Sequence, residues 1–231
     1  MKIERLEFKN LDFTYRGQEP LLTDVDFVFP LKRNVRIKSG GGAGKSTLLK
    51  ILAGIETPES GHYFVNELDV SQASFEEFIP YRLNIVYAMD FGGLLGNRTL
   101  YDNITLPIFY HKGSNMQERI DWVQGLIKIF DLETEVHSRP HAVRGAMRKA
   151  ACLIRSVALR PQLLLWDSPT VGLDIDHRDR LVDLVKLGRE QGWLEHLFVT
   201  TENEDFGRKL NCVPIELKQK KLTAQRVEVS A

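Results

Sequence analysis

The stretch Val35–Gly54, VRIKSGGGAGKSTLLKILAG, constrains the fold more than any other part of this 231-residue chain. A short apolar strand runs into a glycine loop, and the loop opens an apolar-faced helix that Gly54 can end. Ser39-Gly40-Gly41-Gly42-Ala43-Gly44-Lys45-Ser46 matches the phosphate-binding pattern G-x-x-x-x-G-K-[ST] except at its first position, where serine replaces glycine. Glycines let backbone N–H groups turn toward phosphate oxygens, and the helix start adds partial positive charge. In this pattern Lys45 reaches the β- and γ-phosphates and the Ser46 hydroxyl ligates Mg²⁺. Ser39, Gly40, Gly41, Gly42, Ala43, Gly44, Lys45, Ser46 and Thr47 are therefore the candidate nucleotide-binding residues. If the Ser39 backbone needs a positive φ, the serine adds strain of order 1–3 kcal/mol, which need not abolish binding.

The rest of the chain alternates strand-like and helix-like segments. Ile3–Phe8, Leu11–Tyr15 and Val25–Phe29 read as strands, and His62–Val65 follows the turn PESG. Met116–Phe130 has helical spacing, and Arg148–Leu159 is an apolar-faced helix stopped by Pro161. QLLLWD and HLFVTT are continuous apolar runs of buried-strand type, with a helix over Asp179–Glu190 between them. Cys212–Leu217 and Leu222–Ala224 can close a hairpin around KQKK. Such units indicate an α/β fold with a mostly parallel sheet covered by helices. The helical middle, roughly residues Phe91–Arg160, reads as an inserted subdomain.

Composition excludes several roles. Lys plus Arg and Asp plus Glu are both 31, so no global charge pulls the chain toward nucleic acid or an anionic membrane. No apolar run approaches the ~20 residues that span a bilayer. The first residues, MKIERLEFKN, lack a signal-peptide core. Cys152 and Cys212 have no metal-like spacing, and a reducing compartment suits them. The expectation is a cytoplasmic chain that reaches a membrane only through a partner.

A second motif is LLLWDSPTVGLD, Leu163–Asp174: an apolar strand ending in Asp167, the arrangement in which an aspartate holds Mg²⁺. With this motif added, the chain resembles the nucleotide-binding subunits of ABC transporters. Pro169, Thr170, Leu173 and Asp174 match the family's D-loop. FTYRGQEPLLTDVDFVFP is similar to its opening, with Tyr15 at the adenine-stacking position. PESGHYFVNELDV, RTLYDNITLPIFY and LIRSVALRPQLLLWD extend the resemblance over nearly the whole chain. The resemblance implies one domain over residues 1–231. It has a P-loop NTPase (RecA-like) core, an N-terminal antiparallel β portion and an inserted helical subdomain. It also implies ATP and Mg²⁺ as cofactors, a membrane permease and a second nucleotide-binding subunit as partners, and no nucleic acid.

The departures from the family fall on its chemistry. Ser168 stands at the general-base position, where serine cannot act near neutral pH. Asp90 stands at the Q-loop glutamine and Thr201 at the switch histidine. Val143-Arg144-Gly145-Ala146-Met147 replaces the signature L-S-G-G-Q. These four losses imply ATP binding with weak or absent hydrolysis. A displaced base, Asp90 or Glu202, is the alternative within that reading. A non-catalytic, nucleotide-gated subunit and a conventional transport ATPase are the competing readings. GAMRKAACLIRSVALRPQ and DFGGLLGNRTLYDNI are also similar to the MCE-associated, Mla-like lipid-transport ATPases. His141, His177 and His196 read as surface residues, KQKK as a solvated hairpin tip, and Trp166 as packed in or against the sheet.

Overall fold

A computed structural model describes residues 1–90, 93–111 and 115–224. Two sheets form the frame. The first is antiparallel, in the order β2-β1-β4-β5, with β1 (Leu6–Phe13), β2 (Leu22–Val28), β4 (Ser60–Val65) and β5 (Leu68–Asp69). The second has the order β10-β9-β3-β8-β7-β6. Its parallel strands are β3 (Asn34–Lys38), β6 (Ile85–Ala88), β7 (Leu163–Asp167), β8 (His196–Thr200) and β9 (Val213–Lys218), and β10 (Lys221–Ala224) adds an antiparallel edge.

The apolar runs follow from coverage on both faces. Along β7, Leu163 and Leu165 point into a core shared with the antiparallel sheet and α1 (Lys45–Leu52). Leu164 and Trp166 point into a second core built with the helices. A strand covered on both sides has no solvent face to alternate with, so its sequence is continuously apolar. The Trp166 indole N–H donates to Ser156 Oγ at 3.0 Å, which satisfies its one polar atom.

Between β6 and β7 run α3 (Leu100–Tyr110), α4 (Met116–Ile129), a short 3₁₀ turn and α5 (Gly145–Val157), which pack on one another. The expected start of this region, Phe91, lies outside the described residues, as does Gly92 of the stretch DFGGLLGNRTLYDNI. Helices α2 (Phe75–Arg82), α6 (Ile175–Glu190) and α7 (Glu204–Lys209) complete the layers.

Helix ends follow local chemistry. Gly54, at φ 64, closes α1 with its N–H on Ile51 O, while the Ile55 N–H reaches Lys50 O. These are the two bonds of a Schellman motif, and they confirm the expected stop. Helix α6 starts at Ile175, four residues before the expected Asp179, because the Asp174 carboxylate caps it. Helix α5 starts at Gly145, three residues before the expected Arg148. Helices α2 and α3 each begin with a capping box, Ser74 with Glu77 and Thr99 with Asp102.

Two expectations need correction. Leu11–Tyr15 is no separate strand: β1 continues through Asn10, which sits at φ 46 in a bulge, and ends at Phe13. Opposite it, a Cβ on Gly61 would lie 2.1 Å from Asn10 O, so the bulge requires glycine there. His177 and His196 are buried, not on the surface; His141 is exposed. His196 Nδ1 accepts from the Lys32 N–H at 2.8 Å and its Nε2 meets Ile3 O at 3.1 Å, so strand β8 is tied to the N-terminal segment through this ring. The hairpin around KQKK is present. Its two loop residues, Gln219 and Lys220, have φ 50 and 63 as a two-residue hairpin turn requires, and Lys221 is bound to Asp24.

Candidate functional site

The glycine loop follows β3 and opens α1. Gly44, at φ 93, occupies the N-cap position and leaves the first N–H groups of α1 without a side-chain cap. Ser39 is not among the residues with positive φ, so the condition for strain at this position is not met. Its hydroxyl donates to Gly40 O at 2.9 Å. Gly40, Gly41 and Gly42 face open space. Ser46 is exposed, while Thr47 is buried.

Lys45 holds its ammonium 3.0 Å from Glu202 Oε1 and 3.4 Å from Ser39 O. Tyr15 lies half-buried beside the first turn of α1. Its ring meets Phe13 edge-on at 4.9 Å, and its hydroxyl lies 3.3 Å from Thr47 Oγ1 and 3.2 Å from Glu56 Oε1.

Asp167 ends β7, buried, with both carboxylate oxygens held. Thr200 Oγ1 donates to Oδ1 at 2.7 Å and the Tyr87 hydroxyl donates to Oδ2 at 3.0 Å. Burial, and secondarily the Asp167 charge, pushes the Tyr87 phenol up, so it stays a donor. Two aligned strands produce this arrangement, because β7 lies between β6 and β8.

The next residue, Ser168, sits at φ 48, and its N–H is directed at Thr200 O and Thr200 Oγ1 at 3.0 and 2.9 Å. Thr201 is buried. Its hydroxyl pairs with Thr170 Oγ1 at 2.8 Å and accepts from the Asn203 N–H. Asp90 is bound by Lys149 of α5, at 3.1 Å from Oδ1. Asp174 accepts from the His177 N–H and from His177 Nδ1, and the backbone bond leads in holding its carboxyl below the usual range.

The stretch Val143–Met147 forms the start of α5. Val143 and Met147 are buried, Arg144 is the exposed N-cap without a side-chain cap bond, and Gly145 and Ala146 begin the helix. Arg148 ties the entry down through Pro140 O and Val143 O, both at 3.1 Å. The fold thus brings Ser39–Thr47, Asp167, Ser168, Thr201 and Glu202 together. Among the described residues, no hydrogen bond or ion pair joins Val143–Met147 to the glycine loop.

The donor set suits Mg²⁺ bound with a nucleotide. Ser46 and Asp167 supply hard oxygens, and Asp167 keeps unused lone pairs after its two bonds. Among the described residues no group of three His, Cys, Asp or Glu could hold a metal alone. Tyr87, Thr200 and Lys149 were not singled out from the sequence; nothing in their local pattern marks them.

The family model described as ABC transporter matches residues 22–171, well over half of the chain. The chain belongs to the ABC transporter family. The molybdate/tungstate import ATP-binding protein WtpC of Pyrococcus abyssi is 29% identical over 184 residues, covering 80% of this chain and 52% of that protein. The methionine import ATP-binding protein MetN of Clostridium acetobutylicum is 28% identical over 86% of this chain and 62% of that protein. The chain therefore spans about half to three-fifths of the length of these two. It matches the ABC transporter ATP-binding protein YtrE of Bacillus subtilis at 27% identity over 89% of that protein.

Among solved structures, the dimeric post-hydrolysis state of the ATP-binding cassette MJ0796 bound to ADP and Pi superposes with a TM-score of 0.82 over 96% of this chain and 99% of that one, at 23% identity. A second dimeric structure of that cassette gives 0.83. The fold of this ABC family member is that of an ABC ATPase cassette, with its antiparallel sheet and parallel core.

Proposed function

We propose that this chain is the ATP-binding subunit of a membrane ABC transporter complex, and that it binds Mg-ATP at Ser39–Thr47 while hydrolysing it slowly or not at all. The observation that carries the reading is a split within one site. The residues this reading assigns to binding, Lys45, Ser46 and Asp167, are kept, and the fastening of Asp167 from both sides by Tyr87 and Thr200 supports it. At the reaction positions, Ser168 offers no base, and Thr201 turns its hydroxyl into the interior toward Thr170. Asp90, a candidate replacement base, has its carboxylate engaged by Lys149.

In this reading Tyr15 stacks on adenine, and residues roughly 91–160 act as the helical subdomain. A second subunit, identical or not, completes each site by facing it with Val143–Met147. The permease contact is supported by an apolar groove of ≈ 620 Å³ lined by Ile55, Phe75, Ile79, Leu83 and Tyr110. Phe75 is 62% and Tyr110 78% exposed, which is costly unless a partner covers them. Among the described residues no helix is long and apolar enough to cross a membrane, so attachment at the inner face of the membrane runs through that permease. The resemblance of the α5 segment to Mla-like ATPases makes lipid the proposed cargo class.

The test is thermal unfolding with and without Mg-ATP, alongside phosphate release. A ligand that binds only the native state raises the melting temperature. Mg-ATP is expected to raise it in the wild type and not in Lys45→Ala, with phosphate release near background in both. No shift at millimolar Mg-ATP overturns the binding claim. Family-like turnover abolished by Lys45→Ala overturns the claim of weak hydrolysis.

A further inference from the structure

We propose that Glu202 is a further residue of the phosphate site, an internal competitor that holds Lys45 before nucleotide arrives and lowers the site's preference for a triphosphate over a diphosphate. The inference rests on the reading of Ser39–Thr47 as the nucleotide site.

Lys45 and Glu202 are an unequal pair. The lysine side chain is 17% exposed and the glutamate 83%, so a confined ammonium meets a carboxylate that reaches in from solvent. The glutamate backbone is fixed. Thr201 O accepts from Arg36 Nε at 2.9 Å, and Asn203 caps α7 by accepting from the Phe206 N–H at 2.8 Å. The neighbouring Glu204 is taken up by Arg36 and Lys38, and Glu202 by Lys45.

Of the three N–H donors of Lys45, one is directed at Glu202 Oε1 at 3.0 Å and one at Ser39 O at 3.4 Å, so an arriving phosphate oxygen competes with Glu202 for the ammonium charge. Once displaced, the carboxylate remains tethered beside the phosphates as a like charge. Its repulsion grows with the charge of the phosphate chain, so a triphosphate is opposed more than a diphosphate. Exposed pairs carry modest energies, so removing the charge is expected to tighten binding about 1.5–5-fold.

The experiment measures dissociation constants by titration calorimetry on the full chain, with Mg-ADP and with a Mg-bound non-hydrolysable ATP analogue. The variants are Glu202→Gln, Lys45→Ala and Glu190→Gln, the last removing one exposed carboxylate at the end of α6. The expected result is tighter binding of both nucleotides by Glu202→Gln, larger for the analogue, with Glu190→Gln unchanged. Unchanged or weaker binding by Glu202→Gln, in a protein whose binding is abolished by Lys45→Ala, overturns this inference and leaves the nucleotide site standing. Equal tightening by Glu190→Gln also overturns it, as an effect of net charge. No binding by wild type or Glu202→Gln removes the nucleotide site and this inference together.

Discussion

The ammonium of Lys149 lies 2.7 Å from Asp90 O and 3.1 Å from Asp90 Oδ1, and so binds the loop after β6 to α5. Lys149 is 8% exposed. A charge that deep needs a partner, and the Asp90 carboxylate supplies it. Asp90→Ala is expected to lower unfolding free energy by about 1–3 kcal/mol, below the usual cost of breaking a fully buried pair because the Asp90 side chain is partly exposed and the carbonyl contact remains. Lys149→Met is expected to cost less, since it removes the buried charge itself. Urea unfolding of the two variants checks this; an Asp90→Ala protein as stable as wild type contradicts it.

Ser168 at φ 48 is in the left-handed region that favours glycine. Ser168→Gly is expected to stabilise the fold by up to about 1 kcal/mol, the left-handed penalty less the added chain entropy of glycine. Its backbone N–H remains to bond Thr200. A lower urea midpoint for Ser168→Gly would show that the serine side chain carries a stabilising contact.

Restoring an acid at this position is not expected to restore turnover. In Ser168→Glu the Thr201 side chain still faces Thr170, and Arg144 still stands at the N-cap position of α5. Residues that act as a unit are grossly non-additive. Phosphate release should stay near background for Ser168→Glu. It should recover in part when Asp90→Gln, Arg144→Ser, Ala146→Gly and Thr201→His are added. Full activity from the single change would mean that Arg144 and Thr201 are working substitutes.

His196 gives the fold a pH dependence. Burial holds its pKa below the ordinary value, and with Nδ1 accepting from Lys32 the ring is neutral in the fold. The unfolded chain takes up a proton below about pH 6.5, whereas the fold resists it. The contribution is therefore full above that pH and is lost as pH falls toward the lowered folded value. Urea unfolding at pH 8 and pH 5.5 should show wild type losing more stability on acidification than His196→Asn. Equal losses would count against the ring as the titrating group.

Much of the frame was legible because it depends on near neighbours. The strand–glycine–lysine order of Val35–Ser46, the continuous apolar run before Asp167 and the stop at Gly54 are local patterns, and each is found where the residues placed it. The capping boxes at Ser74 and Thr99 are local patterns too, but the starts of α2 and α3 came only from the structure. Burial of His177 and His196 was not readable, because a histidine looks alike in sequence whether its nitrogens meet water or protein.

The sequence by itself determined that a lysine, a serine and an aspartate would stand at the end of a parallel sheet, since strand period and glycine loop are properties of short segments. Only the tertiary structure decided what those groups touch. Tyr87 and Thr200 reach Asp167 across 80 and 33 residues of chain, and Glu202 reaches Lys45 across 157. Those distances collapse only because β6, β7, β8 and β3 lie side by side in an order that differs from their order in the chain. Strand order is set by the packing of two cores on opposite faces of the sheet, a sum over many distant contacts that no local window contains.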